Sequence, residues 1–341
     1  MFIQRKFPNT RLRRLRRNNN LINLVSETNL TKDDLIQPIF VKENFDGEEE
    51  IESMPKIYRY GINQALNEIE DIIKSGINSL AIFPVIDSEN KDHKGSQATK
   101  TNNFISKSIK EIKRQFPDLV LIADVALDPY TDHGHDGIIV NGDVDNDETN
   151  KILIEQSLIL ADAGADIIAP SDMMDGRIGL IREALESQNF KNTILLSYAA
   201  KFSSKFYGPF RDAVGSSSNL GESSKTSYQM SLKNKQEALH EVALDINEGA
   251  DIVMVKPAMP YLDIIHSIKD SFQIPTFAYQ VSGEYSMLKL SISKGWLDSG
   301  VMLESLIGIK RAGADAILTL SLIHISEPTR PERRSDGGLG V

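Results

Sequence analysis

Four segments of the chain repeat one hydrophobic plan. SGINSLAIFPV (75–85), AGADIIAPS (163–171), EGADIVMVKP (248–257) and AGADAILTL (312–320) each place a glycine, a short polar or small step, then an almost unbroken apolar run. The glycine suits the left-handed backbone that stops a helix. The run, lacking polar alternation, suits a strand covered by protein on both faces. Extended along the chain, the same pattern predicts eight strands, over 35–41, 79–85, 119–127, 166–169, 193–198, 251–255, 276–281 and 315–319. Stretches with helical periodicity separate them, over 63–74, 103–115, 147–163, 178–187, 234–247, 262–271 and 302–312. Strands that alternate with helices predict a parallel sheet. Eight such units fit a closed (β/α)8 TIM barrel of the α/β class better than an open doubly wound sheet, because no GxGxxG turn is present. In such a barrel the chemistry sits at the carboxyl ends of the strands.

Two connections are longer than a connector needs, 128–146 after the third strand and 199–232 after the fifth. The middle of the second, GSSSNLGESSKTS (215–227), is rich in Ser and Gly, and its flanks KFYGPFR and KTSYQM are charged and aromatic. Long loops in compact domains are lids, binding loops or surface insertions, and these flanks favour a lid. PSDMMDGRIG (170–179) reads as a tight loop and helix start, with Asp175 as candidate cap.

Composition narrows the function classes. At 341 residues, 40% hydrophobic and 25% charged, the chain is globular. It has no cysteine, so disulfides and thiolate metal sites are excluded and any metal must sit on oxygen or histidine. No apolar run approaches the ~18 residues of a membrane span. Net charge is −10, yet the first 17 residues carry Arg5, Lys6, Arg11, Arg13, Arg14, Arg16 and Arg17 and no acid. Such an end can bind nucleic acid, target the chain, or pack on a neighbouring subunit as an arm. The acidic remainder argues against nucleic acid. No apolar core follows the charges, so a secretory signal is not expected and the cytoplasm is the expected location.

The chemistry-bearing residues gather at predicted strand ends. Lys256 closes the sixth strand after Val253, Met254 and Val255, and Lys201 lies just beyond the fifth in SYAAKFSSKFYGPFR. An amine at the end of a buried apolar strand is poorly solvated when charged, so its pKa falls and it becomes a nucleophile. Two amines on adjacent strand ends also repel. The reaction these features point to is a Schiff base with a ketone or aldehyde; either lysine alone could equally be a snorkelling surface residue. The third-strand segment ADVALDPYTDHGHDG (123–137) holds Asp124, Asp128, Asp132, His133, His135 and Asp136. Oxygen and imidazole donors there suit magnesium or a loosely held cation, while turn and cap aspartates would give the same pattern. Arg211, Lys225 and Gln229 in the suspected lid, and Tyr279 and Ser282 at the end of the seventh strand, could hold substrate, the cations and hydroxyl suiting carboxylates.

At these residues the chain resembles the porphobilinogen synthases, also called 5-aminolevulinate dehydratases. The resemblance covers about residues 5–319 and rests on QPIFVKE (37–43), DVALDPYTDHGHDG (124–137), NDETN (146–150), APSDMMDGRIG (169–179), KFYGPFRDA (205–213), YQM (228–230), EGADIVMVKPAMPYLD (248–263) and AYQVSGEY (278–285). It implies a homo-octamer whose basic arms, residues 1–30 here, embrace neighbours. It implies a catalytic barrel over 31–320 that condenses two 5-aminolevulinates to porphobilinogen with loss of two waters. Lys256 matches the family's main Schiff-base lysine and Lys201 the second. Ser282 matches the residue that holds the first-bound substrate's carboxylate, and Arg211, Lys225 and Gln229 those that hold the second's. Zinc-dependent members carry three cysteines where this chain has Ala126, Asp128 and Asp136, so no active-site zinc is expected. Asp124 matches an acid of the site, and with Asp128 and Asp136 it is a candidate for holding a cation. Glu241 matches a carboxylate that binds an activating, allosteric magnesium ion. After GADAILT (313–319) the family continues with a tyrosine and a final helix, whereas here Leu320 is followed by SLIHISEPTRPERRSDGGLGV (321–341). That tail has no apolar stripe, so the eighth helix is expected to be missing and the outer faces of the first and eighth strands uncovered. The runner-up is another Schiff-base barrel lyase of the class I aldolase type, against which the second lysine and the arginine-bearing lid argue.

Overall fold

The structure, a computed structural model, describes residues 5–214 and 225–321. The middle of the suspected lid and the tail beyond Ser321 lie outside the described residues. Eight parallel strands close into a barrel: β1 (Leu35–Lys42), β2 (Ser79–Val85), β3 (Val120–Val125), β4 (Ile167–Pro170), β5 (Ile194–Lys201), β6 (Ile252–Lys256), β7 (Thr276–Gln280) and β8 (Ala316–Thr319). Each pairs with the next in chain order, and β8 returns to β1 through Leu35↔Ile317 and Ile36↔Leu318. The eight predicted strands are thus present, with ends displaced by three residues or fewer.

The repeated plan has a structural basis in its first two positions. Gly76, Gly164, Gly249 and Gly313 all have positive φ, between 93° and 117°, where a side chain would be strained. In three repeats the aspartate of GAD staples the preceding strand. Asp166, Asp251 and Asp315 accept from the backbone N–H of Leu121, Leu195 and Thr276, each bond 2.7–2.8 Å long. The same carboxylates pair with Lys113, Arg182 and Lys269 of the preceding helices. The repeat therefore ties strand, helix and next strand at the base of the barrel.

The main helices are α1 (Ile62–Lys74), α2 (Phe104–Gln115), α3 (Asn146–Asp162), α4 (Arg177–Ser187), α5 (Lys235–Asn247), α6 (Leu262–Phe272), α7 (Ser282–Ser293) and α8 (Val301–Ala312). Side chains alternate along each strand between two cores. Ile36 and Phe40 of β1 join Phe83, Leu196, Met254, Tyr279 and Leu318 inside the barrel. Leu35, Ile39 and Val41 join Ile69, Ile309 and Ile317 between strands and helices.

Two expectations are corrected and one helix is added. Asp175 does not cap α4. Gly176, with φ 74°, precedes the helix, and the Asp175 carbonyl instead accepts from the side chains of Asn146 and Asn150. Helix α7 was not anticipated, because it buries only Tyr285 and Leu288 among its large apolar residues while Met287 and Leu290 face solvent, so no clean stripe marks it. The outer faces of β1 and β8 are not uncovered: Leu35, Ile39 and Ile317 are at most 2% exposed, within a cluster against which Leu30 and Ala312 also pack. The 128–146 connection contains a small hairpin, Ile139–Val140 with Asp143–Val144. The arm runs as a 3-10 turn (Leu12–Arg16) and a short helix (Asn19–Leu24), leaving Phe7 and Leu24 more than 70% exposed.

Candidate active site

Lys201 and Lys256 end adjacent strands in register, so both amines enter the same end of the barrel. Each is no more than 6% exposed. The Lys256 Nζ sits among the rings of Tyr279, Phe210, Tyr198 and Tyr207, 4.3–5.4 Å from their centroids. Rings attract a cation, but they do not replace its water. Burial, and next the positive charge of Lys201, push Lys256 down to about 7. Near neutral pH a large share of this amine is therefore free to attack a carbonyl. A test follows from the sign of that shift. Below pH 7 the rate of first-adduct formation, read by borohydride trapping, should fall about tenfold per pH unit, and above pH 8 it should level off. An ordinary lysine would keep gaining rate up to pH 10, and that profile would contradict the assignment.

Three carboxylates face the amines. Asp124, on β3, accepts from the Ser171 hydroxyl at 3.1 Å, while its other oxygen is buried without a hydrogen-bond partner. Burial, opposed by Lys256 and Lys201, pushes Asp124 up to about 7, so it can hold or release a proton near neutrality. Asp136 lies 3.0 Å from Lys225 and 3.5 Å from Lys201. Burial alone would raise it, but the two ammonium groups hold it well below the usual carboxylate range. Asp128 is 3.7 Å from Lys225, and burial there outweighs the pairing and raises it. Lys201 also donates to the Ser171 carbonyl. Among the described residues, Asp124, Asp128 and Asp136 do not gather as a metal-sized donor cluster, and Lys225 and Lys201 lie within 4 Å of Asp136.

The suspected carboxylate binders surround this pair. The stems of the lid are zipped at Lys201: Met230 N–H donates to the Lys201 carbonyl and Phe202 N–H to that of Lys256. Arg211 lies on a short helix (Gly208–Ala213), its charge felt by both Lys225 and Tyr207. Lys225 and Gln229 are buried at the lid's far stem, and Gln229 Oε1 has no partner. The amide can flip, so either end can meet a ligand. Ser282 opens α7, and the N-terminal end of a helix favours an anion. Its Oγ accepts from Phe210 N at 2.9 Å, which leaves the hydroxyl hydrogen for a ligand. Tyr279 contributes its ring to Lys256. A Cβ at Gly283 would meet the Phe206 carbonyl at 2.4 Å, so only glycine lets the lid base lie on α7.

The family model for delta-aminolevulinic acid dehydratase matches residues 9–327. The chain belongs to this family. It is 52% identical over 314 residues to a delta-aminolevulinic acid dehydratase of Methanothermus sociabilis, covering 92% of this chain and 97% of that one. It is 49% identical over 310 residues to one of Bradyrhizobium diazoefficiens, covering 91% and 88%. A solved structure of the dehydratase from Toxoplasma gondii, in complex with the reaction product porphobilinogen, superposes with TM-score 0.89 at 41% identity and covers 91% of this chain and 88% of that chain.

Around the dehydratase site lie residues that the sequence did not single out. Glu284, fully buried, accepts from the backbone N–H of Ala258, Met259 and Val281, and so fixes the peptide that follows Lys256. Burial pushes it up to about 7. Tyr228 places its hydroxyl 3.2 Å from His135 Nδ1 and against Asp136. Their one sequence signal is that they lie within the SGEY and YQM runs.

Glu241 lies on α5, away from the lysines in sequence. Burial pushes it up, Asp245, Asp175 and Glu237 add to that, and Arg177 opposes them. Arg177 is buried between Asp172 at 3.5 Å and Asp245 at 3.4 Å, and Ser197 bridges it to Asp245. Asp172 Oδ2 is buried without a partner, and burial pushes this group up to about 6. Carboxylates thus outnumber the guanidinium here, though among the described residues they do not gather as a metal-sized donor cluster.

Proposed function

We propose that this chain condenses two molecules of 5-aminolevulinate to porphobilinogen with loss of two waters, as a hydro-lyase of porphyrin and heme synthesis. The observation that carries the reading is a pair of buried lysines on adjacent strand ends, one of them shifted to about 7, within a family-wide match. Neutral Lys256 attacks the ketone carbon of one substrate. The carbonyl oxygen takes up protons and leaves as water, with Asp124 positioned to carry a proton, and the imine remains. Ser282 and the start of α7 hold that substrate's carboxylate. Lys201 forms the corresponding imine with the second substrate, whose carboxylate meets Arg211, Lys225 and Gln229. The test is a colour assay for the pyrrole product after incubation with 5-aminolevulinate; activity on sugar phosphates instead would favour the aldolase-type reading.

No described helix is long and apolar enough to cross a membrane. We place the enzyme in the cytoplasm as a homo-octamer, its exposed arm apolar residues packing on a neighbour. Magnesium near Glu241 would act on assembly rather than on the reacting atoms. Glu241→Gln should therefore abolish any gain of activity on adding magnesium to chelated enzyme, while the trapped Lys256 adduct persists. A magnesium response unchanged in Glu241→Gln would refute that assignment.

Leu320 is 2% exposed and packs in the inner core with Tyr279 and Val281. It carries no hydroxyl to share the substrate carboxylate with Ser282. Restoring the family's residue by Leu320→Tyr should add a bond worth roughly 1.5–3 kcal/mol and raise kcat/KM about 10- to 100-fold. An unchanged or lower kcat/KM would show that the hydroxyl does not reach the ligand.

A further inference from the structure

The loops that follow β2 and β3 are joined by backbone. Asp92 and Thr131 form an isolated parallel bridge, Asp92 N–H donates to the Tyr130 carbonyl at 3.2 Å, and Asp132 N–H donates to the Asp92 carbonyl at 3.1 Å. Asp92 is itself pinned, its Oδ1 accepting from Lys94 N and Ser96 N at 3.0 Å each. The junction brings His93, Asp132 and His133 together, one donor atom of each lying within 4.8 Å of the other two. His93 Nδ1 is 3.6 Å from Asp132 Oδ1, and the two imidazole rings are 4.9 Å apart and nearly perpendicular.

We propose that His93, Asp132 and His133 form a binding site for a divalent transition-metal ion of the zinc type, which staples the two loops together. Two imidazoles and a carboxylate are a donor set suited to zinc, nickel or cobalt rather than to magnesium. In a tetrahedral zinc site, donors about 2.0–2.1 Å from the ion stand about 3.3 Å from one another. The His93–Asp132 pair is already close to that spacing, and both side chains are more than half exposed, free to move in and open to an ion from solvent. His133 is oriented in advance. Nε2 lies 3.2 Å from the His93 carbonyl, and Nδ1 accepts from His135 N at 3.2 Å. The ion takes Nδ1 in place of the His135 N–H, while Nε2–H keeps donating to the His93 carbonyl, the usual second bond of a metal-bound imidazole. The site uses none of the lysines and is separate from Glu241. Its loops carry Asp128 and Asp136, so an ion there would stiffen the mouth of the barrel.

The test uses the full chain, stripped of metal, with zinc as probe by calorimetry and cobalt as spectroscopic probe. The parent should bind a zinc ion that His93→Ala no longer binds and that Asp132→Asn binds at least tenfold more weakly. Zinc should raise the thermal midpoint of the parent by a few degrees and leave that of His93→Ala unmoved. Cobalt in the parent should give the visible absorption of a nitrogen- and oxygen-ligated ion, absent in His93→Ala. Metal-free midpoints of the variants report whether they fold, and His240→Ala serves as the surface-histidine control. Equal zinc binding by the parent and His93→Ala, or an equal loss in His240→Ala, would overturn the proposal.

Discussion

Lys256→Ala should reduce turnover to below roughly one per cent of the parent chain, because losing the nucleophile removes more than the ~10²–10⁴-fold that one proton-transfer group contributes. The adduct trapped by borohydride should vanish with it. No other described amine shares its setting: Lys256 alone lies among four aromatic rings, with its pKa lowered by burial and by Lys201. Lys201→Ala should also stop turnover, yet the first adduct should still be trapped, since removing a neighbouring positive charge does not remove the nucleophile. The effect on Lys256 has a sign. Without Lys201 its pKa should rise, so trapping in Lys201→Ala should need a higher pH than in the parent. Trapping lost in Lys201→Ala and kept in Lys256→Ala would reverse the two roles.

Most of the barrel could be read from the sequence, for one physical reason. Strands covered on both faces become nearly continuous apolar runs, and helices that must stop before them end on glycines such as Gly164 and Gly313, which adopt positive φ. The lysines were legible because a charged residue that ends a buried run breaks the pattern visibly. Contacts across loops were not. Asp136 and Lys225 lie on different connections, and only the closed barrel brings them to 3.0 Å. Asp132 and His133 looked like ligands, but His93, the partner that completes their cluster, sits after another strand. Helix α7 lacked an apolar stripe because its outer face carries Met287 and Leu290. Asp175 had the composition of a cap and a different use, its carbonyl occupied by Asn146 and Asn150. The expected uncovering of β1 and β8 assumed that only a final helix could cover their outer faces, whereas Leu35 and Ile317 lie buried in one cluster with Ile69 and Ile309.

Lys225→Met should uncouple stability from chemistry in a way that only a buried ion network can. Lys225 and Asp136 are each under 8% exposed, and Lys225 also lies 3.7 Å from Asp128. Burial disfavours the Lys225 charge, but Asp136 and Asp128 outweigh it and raise its pKa, so it is an ammonium in the folded protein. Methionine fills the same volume and leaves two buried carboxylates facing one fewer cation. Removing one partner of a buried pair costs about 3–5 kcal/mol, and Lys201 at 3.5 Å from Asp136 offsets part of that, so the low end applies. The thermal midpoint should drop by on the order of 5 °C. Turnover should collapse as well, because the second substrate loses a carboxylate partner, while Lys256 still traps the first. Adding Asp136→Asn should return part of the lost stability, since one buried carboxylate charge is then gone and Lys201 still acts on Asp128. It should not return turnover, since the cation that meets the substrate is still missing. Recovery of turnover in the double variant would show that Lys225 serves only to neutralise Asp136, and its place in the substrate site would have to be given up.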